Sequence, residues 1–434
     1  MNLCIIGAGH VGLVTAACFA ELGHRVVCVD NDKKKIALLK KGKVTFYEPG
    51  LSELVRRNLS RKRLLFTDRV SEGVTRSQVI FIAVGTPPLS SGEADLTAVE
   101  QVSREIARSM TSYRLVVEKS TVPVETGKWV KKTLEHSVRK RVGFDVASNP
   151  EFLREGSAVH DFLHPDRIVI GVESEKARAL LSELYRPFKA PLVVTDIASS
   201  ELIKHASNAF LATKISFINA IACIAEKVGA DVTKIAHGMG LDPRIGPAFL
   251  NAGAGFGGFC FPKDVEAFIR IAEKIGYDFD LLKAVKRINE EQRRRIVKKI
   301  ERQMWNLKGK RIGVLGLAFK PDTDDLRFAP ALDVIAALQK EGSDVRCYDP
   351  VAMPEAKKIL KGVRFAPSAA QAAQQADCLV LMTEWAEFKK LDFRKLKGTM
   401  RQAVLVDARN MIDPAIPRKA GFRYVGVGRG DDSA

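Results

Sequence analysis

The sequence predicts an α/β protein with two Rossmann-like, doubly wound domains joined by a central helical dimerisation region. Three observations support this fold class. Short apolar segments alternate with helical patterns from Leu3 onward, two long helical patterns follow, and the α/β alternation restarts at Arg311. We place the domain boundaries at 1–195, 196–304 and 305–434.

The first element is the strand Leu3–Ile6, which runs directly into a glycine-rich turn and a helical pattern. A second strand, Arg25–Val29, ends at Asp30, 18 residues after the last glycine of the turn. This context predicts a dinucleotide site, with the pyrophosphate at the helix N-terminus and the acid on the ribose. Asp30 favours NAD, whereas the lysines at 33–35 leave NADP open. The residues expected at the pyrophosphate are Gly7, Gly9, Val11 and Gly12.

Three further strands are predicted at Val79–Val84, Leu115–Glu118 and Val142–Ala147. Each runs into a polar segment, and in a doubly wound sheet such segments meet at the carboxyl edge, where ligands bind. The sequence therefore predicts one crevice there, although Gly85–Pro88 by itself is also typical of an ordinary turn. The side chains expected around the crevice are Thr86, Thr121, Glu151 and Glu155.

His160 and His164 stand four residues apart, a spacing that can bind a metal on a helix. Pro165 should end that helix, and no other group has ligand spacing. We therefore expect no metal site.

Two long helices are predicted at Ser199–Gly229 and Leu281–Met304. In the first, Lys204 and Asn208 share a face within apolar surroundings, so they are either functional groups or a solvated lysine and amide. The second is expected to bury an apolar face that begins at Leu281. Long helices between two α/β lobes commonly form dimer interfaces, so we expect a homodimer.

The segment Gly253–Asp264 contains four glycines within Gly253–Gly258, and then Cys260. Pro262 suits the first turn of a following helix, which would place Cys260 just ahead of a helix N-terminus and near Lys263. Both features lower a thiol pKa and favour a nucleophile. The alternative is a small buried hydrophobic residue. That role is expected for the other cysteines, which are Cys4, Cys18, Cys28, Cys223, Cys347 and Cys378.

The last domain begins with the strand Arg311–Leu315, and its first turn lacks the dinucleotide glycine pattern. Its remaining strands are predicted at Val345–Tyr348, Cys378–Met382 and Val404–Val406. Three cations at strand ends either bind phosphates or are surface charges. They are Lys320, Arg327 and Arg409.

The composition is that of a soluble globular protein, with 434 residues, 46% hydrophobic and 28% charged. No apolar run approaches the roughly 20 residues of a membrane span, and no signal peptide is evident, so we expect a cytoplasmic protein without a membrane partner.

The net charge is +18, but the basic clusters, among them 139–141, are scattered and lack interleaved aromatics. We therefore expect no nucleic-acid partner. The polar tail 428–434 is expected to be disordered.

These segments together resemble the UDP-glucose/GDP-mannose dehydrogenase family, over the chain up to about residue 425. The segment 149–158 is similar to that of enzymes acting on UDP-glucose, and GDP-mannose dehydrogenases have a similar loop. The matching segments are Gly7–Gly12, Gly85–Pro87, Ser120–Pro123, Asn149–Ala158 with Pro165–Arg167, Lys204 with Asn208, Phe256–Asp264 and Lys320–Arg327.

The resemblance implies a four-electron oxidation of UDP-glucose at its sixth carbon, from alcohol to carboxylate, using two NAD in succession. Lys204 and Asp264, through a water that Asn208 also holds, are implied to accept the alcohol proton. Cys260 is implied to capture the aldehyde and form a thioester, which a water positioned by Thr121 and Glu151 hydrolyses.

The resemblance also implies binding residues. The first domain would bind NAD, the central domain would carry the catalytic lysine, asparagine and cysteine, and the last would bind the UDP-sugar. Further cofactor contacts are Lys35, Thr86, Thr121, Glu155, Lys263 and Arg327. Substrate contacts are Glu151, Phe152, Leu153, Arg154, Lys204, Asn208, Phe249, Leu250, Asn251, Gly253, Gly257, Lys320 and Arg409, with Arg244 reaching the neighbouring subunit's substrate.

The chain departs from the family pattern at two places. Phe259 stands where the family usually has serine, which would narrow the pocket or alter the thiol's reactivity. Phe328-Ala329-Pro330 stands where Glu-Ser-Pro is usual, which would reduce polar support for the phosphate region.

Three alternative functions remain open. A GDP-mannose dehydrogenase would use the same residues on another nucleotide sugar. A β-hydroxyacid dehydrogenase shares the NAD fold and a Lys-x-x-x-Asn helix, but it oxidises its substrate only once. A nucleic-acid-binding protein with a relic Rossmann domain would account for the basic charge.

Overall fold

The computed structural model describes residues 1–139 and 142–430. These residues form two compact units. The first consists of Met1–Ser207 with Glu266–Tyr277, and the second of Asn208–Val265 with the described residues from Asp278 onward. Part of the basic stretch 139–141 and the end of the expected disordered tail, residues 431–434, lie outside the described residues.

The first unit is built on an eight-stranded sheet with the order β3-β2-β1-β4-β5-β6-β7-β8. All neighbouring strands run parallel except β6 and β7, which are antiparallel. The strands are β1 Asn2–Ile6, β2 Arg25–Val29, β3 Leu64–Thr67, β4 Val79–Ile82, β5 Arg114–Glu118, β6 Phe144–Ser148, β7 Ile168–Val172 and β8 Leu192–Thr195. The helices are α1 His10–Glu21, α2 Lys33–Lys40, α3 Leu51–Ser60, α4 Val70–Arg76, α5 Thr97–Ser109, α6 Thr126–Ser137, α7 Ala158–Leu163 and α8 Glu175–Tyr185.

Apolar cores cover both faces of this sheet. Leu3 and Ile5 of β1 belong to one core, whereas Cys4 and Ile6 belong to the other. Successive side chains of a strand point to opposite faces, so a strand buried on both sides must be apolar at every position. This explains why the central strands are continuous apolar runs in the sequence.

Four helices follow in the chain: α9 Ile197–Val228, α10 Val232–Gly240, α11 Cys260–Lys274 and α12 Asp280–Arg302. The second unit then has a parallel sheet with the order β11-β10-β9-β12-β13-β14. Its strands are β9 Arg311–Leu315, β10 Asp344–Tyr348, β11 Arg364–Phe365, β12 Cys378–Leu381, β13 Val404–Asp407 and β14 Arg423–Val425. Its helices are α13 Pro330–Lys340, α14 Met353–Ile359, α15 Ala369–Ala373, the 3-10 helix Ala386–Lys390, α16 Phe393–Thr399 and α17 Ala415–Lys419.

The predicted fold class is confirmed, since both sheets have the doubly wound order in which the first strand lies beside the fourth. The predicted strands are present, with ends that differ from the prediction by at most two residues. The sequence analysis did not predict five strands, which are the edge strands β3, β8, β11 and β14 and the interior strand β7. β8 has only four residues at the edge of its sheet, and its Val193 and Val194 side chains are 40% and 39% exposed.

Three finer expectations were wrong. The buried face of α12 begins at Leu282, which is 1% exposed, whereas Leu281 is 58% exposed. Cys260 is the first residue of α11 rather than the residue before it, because the helix already includes the turn that precedes Pro262. Cys223 is only partly buried, unlike the five other cysteines outside the glycine-rich segment.

The helix α9 is, within the described part of the chain, long and apolar enough to cross a membrane by length and composition. The sequence analysis found no such run, but one 18-residue window has a mean hydropathy of 1.5. Core helices of globular proteins pass the same test, and 44% of this window is buried. The buried Ser216 hydroxyl donates to the Val285 carbonyl at 2.9 Å, which fits a helix packed within the protein.

Strand β5 ends in a buried carboxyl group. Glu118 is 1% exposed, and its Oε1 accepts a hydrogen bond of 2.8 Å from the Ser120 amide. Burial raises the pKa of Glu118 to about 8, with a further rise from the Glu201 carboxylate, although hydrogen bonds from Ser120 oppose both. The carboxyl group therefore holds a proton in the folded chain at neutral pH.

This shift predicts a pH dependence of stability. The folded pKa of about 8 exceeds the ordinary 4.5, so the stability linked to this proton is complete below about pH 4.5 and is lost as the pH rises through about 8. We expect Glu118→Gln, which keeps an acceptor for the Ser120 amide, to flatten the fall in unfolding free energy between about pH 5 and 8. Urea unfolding across this range measures the effect, with the exposed Glu105→Gln as control. An equally steep fall in Glu118→Gln would contradict the assignment.

Candidate active site

The glycine-rich turn between β1 and α1 leaves room for a ligand at the helix N-terminus. Gly7 has a φ of +106°, and a Cβ on Gly12 would lie 1.9 Å from the Gly7 carbonyl oxygen, so neither position accepts a side chain. A Cβ on Gly9 would meet nothing within 4 Å. No side chain caps α1, and its first turn carries no acid, so its amide groups suit a phosphate. Val11 lies within this first turn and is partly buried.

Asp30 holds this turn in place from the end of β2. Its Oδ2 accepts hydrogen bonds from the Ala8 amide at 2.8 Å and from Lys35 Nζ at 3.0 Å, and its Oδ1 accepts one from the Asp32 amide at 3.0 Å. Lys35 is therefore paired with the carboxylate. A dinucleotide ribose fits this edge, and the carboxylate disfavours a 2′-phosphate there.

The polar segments after β4, β5 and β6 meet at the carboxyl edge of the sheet. Thr86 Oγ1 donates to the Thr121 carbonyl at 2.9 Å. After β6, Glu151 Oε1 lies 3.0 Å from Lys204 Nζ, and both side chains are at most 5% exposed. Glu151 Oε2 accepts a hydrogen bond of 2.6 Å from the Leu153 amide. Glu155 follows in the same segment and is partly buried.

The segment after β6 lines a cavity of about 130 Å³ in the first unit. Two cations lie near the Phe152 ring there. The Arg167 guanidinium carbon is 3.8 Å from the ring centroid, and Lys204 Nζ is 5.5 Å from it. The Arg154 guanidinium is bound to Asp161 by contacts of 2.6 and 3.0 Å. Arg154 would therefore have to leave Asp161 before it could bind a substrate.

The same cavity contains a polar group that the sequence analysis did not single out. Buried Lys119 Nζ donates to Asn149 Oδ1 at 3.0 Å, and the Tyr185 hydroxyl donates to the same oxygen. Burial lowers the pKa of Lys119 to about 8, which the Glu151 carboxylate opposes. The only available signal was the position of Lys119, directly after a predicted strand.

Two further residues that sequence reasoning missed lie on α9, on either side of Lys204. Glu201 accepts hydrogen bonds of 2.7 Å from the amides of Glu125 and Gly127, at the start of α6. His205 Nε2 lies 2.7 Å from the Val122 carbonyl oxygen. Together they fix the loop that carries Thr121. Their proximity to Lys204 in the sequence was the only signal.

In the second unit, the residues around Cys260 form a short polar chain. Asn208 Nδ2 donates to Asp264 Oδ2 at 2.7 Å, and Lys263 Nζ lies 2.7 Å from Asp264 Oδ1. All three side chains are buried, whereas Cys260 is partly exposed at the first position of α11. A helix N-terminus stabilises negative charge, so this position suits a thiolate.

The glycines before Cys260 allow close backbone contacts within the second unit. A Cβ on Gly253 would lie 2.7 Å from the Ala408 carbonyl oxygen, and one on Gly257 would lie 2.4 Å from that of Phe328. Gly258 has a φ of +80°, and a Cβ there would meet the Phe319 ring at 2.7 Å. The segment is therefore confined by its neighbours as well as bent.

Phe259, the first of the two departures from the family pattern, lies beside two cations. The Phe259 ring lies 4.2 Å from the Arg327 guanidinium carbon and 5.6 Å from Lys263 Nζ, so it contacts two cations that a serine could not stack against. Arg327 is also bound to Asp325 by contacts of 2.7 to 3.0 Å. Phe328 is 46% exposed with a φ of +53°, and nothing in the structure explains its side chain.

The remaining predicted substrate residues differ in their surroundings. Arg409 donates hydrogen bonds to the carbonyls of Met382, Gly255 and Phe319 at 2.8 to 3.3 Å. Its guanidinium therefore links three backbone segments, and these bonds occupy donors that a phosphate ligand would need. Arg409 lines a cavity of about 260 Å³ together with Leu250 and Asn251.

Three others lie outside that cavity. Phe249 has a φ of +64°, Lys320 is partly buried after β9, and exposed Arg244 is paired with Asp242 at 2.6 Å.

The expected end of the helix before Pro165 is present, since α7 ends at Leu163. The rings of His160 and His164 are 4.9 Å apart. Within residues 1–139 and 142–430, no group of three or more His, Cys, Asp or Glu side chains could hold a metal ion.

Comparison with known proteins divides the chain into three matched segments of one family. Residues 1–189 match the NAD binding domain of the UDP-glucose/GDP-mannose dehydrogenase family, 198–291 its central domain and 313–414 its UDP binding domain.

Named relatives match the chain over nearly its whole length. The UDP-glucose 6-dehydrogenase TuaD of Bacillus subtilis is 49% identical, covering 99% of this chain and 93% of that protein. The UDP-glucose 6-dehydrogenase of Rhizobium meliloti is 48% identical, covering 99% and 100%.

A solved structure agrees with these matches. The UDP-glucose dehydrogenase of the archaeon Pyrobaculum islandicum superimposes with a TM-score of 0.93 at 41% identity, covering 99% of this chain and 98% of that one. From the three domain matches and the full-length relatives, this chain belongs to the UDP-glucose/GDP-mannose dehydrogenase family.

Proposed function

We propose that this protein is an NAD-dependent UDP-glucose 6-dehydrogenase. It converts UDP-glucose, two NAD⁺ and water into UDP-glucuronate, two NADH and protons. The observation that carries this proposal is the presence of Cys260 at the first position of α11, in a chain that also pairs Lys204 with Glu151 and Asn208 with Asp264. The full-length relatives named above support UDP-glucose over GDP-mannose as the substrate.

The first domain has the features that NAD requires, namely the open space at Gly9, the uncapped start of α1 and the carboxylate of Asp30. NAD⁺ held there would supply the hydride acceptor for each oxidation. Lys35 and Thr86 flank this site, and the cofactor contacts implied for Glu155, Lys263 and Arg327 remain part of the proposal.

The first oxidation needs a base for the C6 hydroxyl proton. Lys204 and Asp264 accept this proton through a water that Asn208 also binds, and the ammonium and amide groups then stabilise the developing oxyanion. Lys204 and Asn208 are four residues apart on α9, a spacing that places them on the same face of the helix. The contact with Glu151 orients the buried Lys204 side chain before substrate binds.

The second oxidation proceeds on Cys260. Its thiolate adds to the C6 aldehyde and forms a thiohemiacetal, which becomes a thioester when the carbon loses its second hydride. Water, positioned by Thr121 and Glu151, then hydrolyses the thioester and releases the carboxylate and the thiol. Covalent capture holds an aldehyde that would otherwise diffuse away or hydrate.

The three-part division at 1–195, 196–304 and 305–434 describes these roles: NAD binding, catalysis with dimerisation, and UDP-sugar binding. Outside the glycine-rich segment the cysteines are free thiols, five of them buried: Cys4, Cys18, Cys28, Cys347 and Cys378, with Cys223 partly buried. Free thiols fit the reducing cytoplasm that we propose as the compartment.

The subunits form a homodimer through α9. Apolar side chains at seven-residue intervals lie exposed on this helix: Phe210 at 64%, Phe217 at 47% and Ile224 at 57%. A stripe of large apolar side chains on the surface is typical of a protein interface, and a two-fold dimer would bury it against its own copy. Arg244 would then reach the partner's substrate.

Counting NADH per sugar tests the role of Cys260. With UDP-glucose, we expect two NADH per sugar from the wild type and at most one from Cys260→Ser, because the aldehyde is no longer captured as a thiohemiacetal. Absorbance at 340 nm and product analysis measure this ratio, with GDP-mannose and UDP-N-acetylglucosamine as parallel substrates. Cys223→Ser, the matched thiol control, should keep the ratio of two. Two NADH from Cys260→Ser would rule out the thiol mechanism.

Replacing Lys204 tests the first oxidation. We expect Lys204→Ala to lower kcat for UDP-glucose by roughly 10²–10⁴-fold, since both proton transfer and oxyanion stabilisation are lost. Single-turnover NADH formation measures the step, and retained NADH binding shows that the variant is folded. Exposed Lys234→Ala on α10 is the control. If Lys204→Ala and Cys260→Ser had the same rate in this step, the division of roles would be wrong.

Charge placed in the apolar stripe tests the dimer. We expect Phe210→Glu/Phe217→Glu to sediment as a monomer of 47.8 kDa, because buried unpaired carboxylates oppose association. Analytical ultracentrifugation measures the mass. Ile275→Glu changes a side chain that is 79% exposed off this stripe and should remain a dimer. A dimeric double variant would place the interface elsewhere.

A further inference from the structure

A third cavity, of about 630 Å³, lies in the second unit among the ends of α9, α12 and β14. Seven lysine and arginine side chains line it, against two glutamates, Glu226 and Glu291. None of these residues takes part in the proposed reaction. Its volume is within the range of small-molecule sites, roughly 300–1,000 Å³.

Only some of these cations have an acidic partner. Lys299 Nζ lies 2.6 Å from Glu226, Arg295 is 3.7 Å from Glu291, and Arg429 is 3.9 Å from Asp231. No carboxylate of the described chain lies within ion-pair distance of the other four, which are Lys227, Arg294, Lys298 and Arg302. The cavity therefore has a large excess of positive charge.

The positions of the cations on α12 are unfavourable for the helix alone. Arg294, Lys298 and Arg302 follow one another at intervals of four residues, and like charges at this spacing repel across one helix face. The dipole at the C-terminus of α12 offsets this for the last turn only. It does not account for Arg294. Lys227, in the last turn of α9, adds its charge to the same cavity.

The spacing also indicates the size of the ligand. Eight residues of helix separate Arg294 from Arg302, a rise of about 12 Å. A single phosphate is too small to neutralise cations spread over this length, whereas a chain of phosphates matches it. Arginine forks bind phosphate oxygens in pairs.

We propose that this cavity binds a small polyanion with two or more linked phosphates. Inorganic polyphosphate and the phosphate chain of a nucleotide share this chemistry. The proposal stands apart from the dehydrogenase reaction, since it requires neither Cys260 nor the glycine-rich turn.

Calorimetry with tripolyphosphate, ATP and adenosine tests this proposal on the whole protein at about 0.15 M salt. Saturating NADH and UDP fill the nucleotide sites, so that only binding elsewhere is measured. We expect tripolyphosphate and ATP to bind and adenosine not to bind. Equal affinities would assign the site to the phosphate chain alone, and at least tenfold tighter ATP would assign it to a nucleotide. Absence of tripolyphosphate binding would overturn the proposal.

Charge reversal locates the site. Lys298→Glu/Arg302→Glu should weaken tripolyphosphate binding at least tenfold, whereas Lys389→Glu/Lys390→Glu, the same charge change on exposed lysines outside the cavity, should alter it less than twofold. Equal weakening by both variants would mean general charge attraction and would overturn the proposal. The proposal would also be overturned if a single-stranded oligonucleotide bound more tightly than tripolyphosphate and lost that affinity in the Lys298→Glu/Arg302→Glu variant.

The wild type supplies a readout that needs no variant. The partly buried Cys223 thiol lines the cavity, so tripolyphosphate should slow its alkylation by uncharged iodoacetamide at least fivefold. Peptide mass spectrometry resolves this site, with Cys260 in the same sample as the reference. An unchanged rate at Cys223 under saturating tripolyphosphate would contradict binding in this cavity.

Discussion

The buried ion pair between Lys204 and Glu151 connects α9 to the segment that follows β6. Both side chains have lost nearly all contact with water, so each charge depends on the other for compensation. Removing either residue would take the opposite charge of this ion pair away from the other. The contact fixes the ammonium and the carboxylate in position within the first unit, which is a condition for any chemistry that uses both groups.

The helix α9 extends this constraint to the neighbouring loop. Glu201 and His205, on the turns beside Lys204, bind the backbone of the loop between β5 and α6. Thr121 lies in that loop, so the helix that carries Lys204 also sets the position of Thr121. One long helix can do this because its groups are fixed relative to one another by the backbone hydrogen bonds.

In the second unit, the glycine-rich segment before Cys260 is held by backbone contacts that exclude side chains. Gly253 lies against the Ala408 carbonyl and Gly257 against that of Phe328. Arg409 adds a hydrogen bond to the Gly255 carbonyl. These contacts, and not bending alone, explain why the segment needs glycine, and they give Arg409 a structural function that its charge did not reveal.

The α/β class, the turn at Gly7–Gly12, the two long helices and the position of Cys260 near a helix start could be predicted from the sequence, because they depend on local periodicity and turn chemistry. The pairing of buried groups could not, because it depends on how distant segments pack. The contacts of Lys119 with Asn149, of Glu201 with α6 and of Arg327 with Phe259 join residues or segments whose spacing in the sequence carries no signal of contact. Edge strands such as β8 were missed for a related reason, since a strand of four residues is stabilised by pairing with its neighbour, here β7, and local sequence does not reveal that pairing.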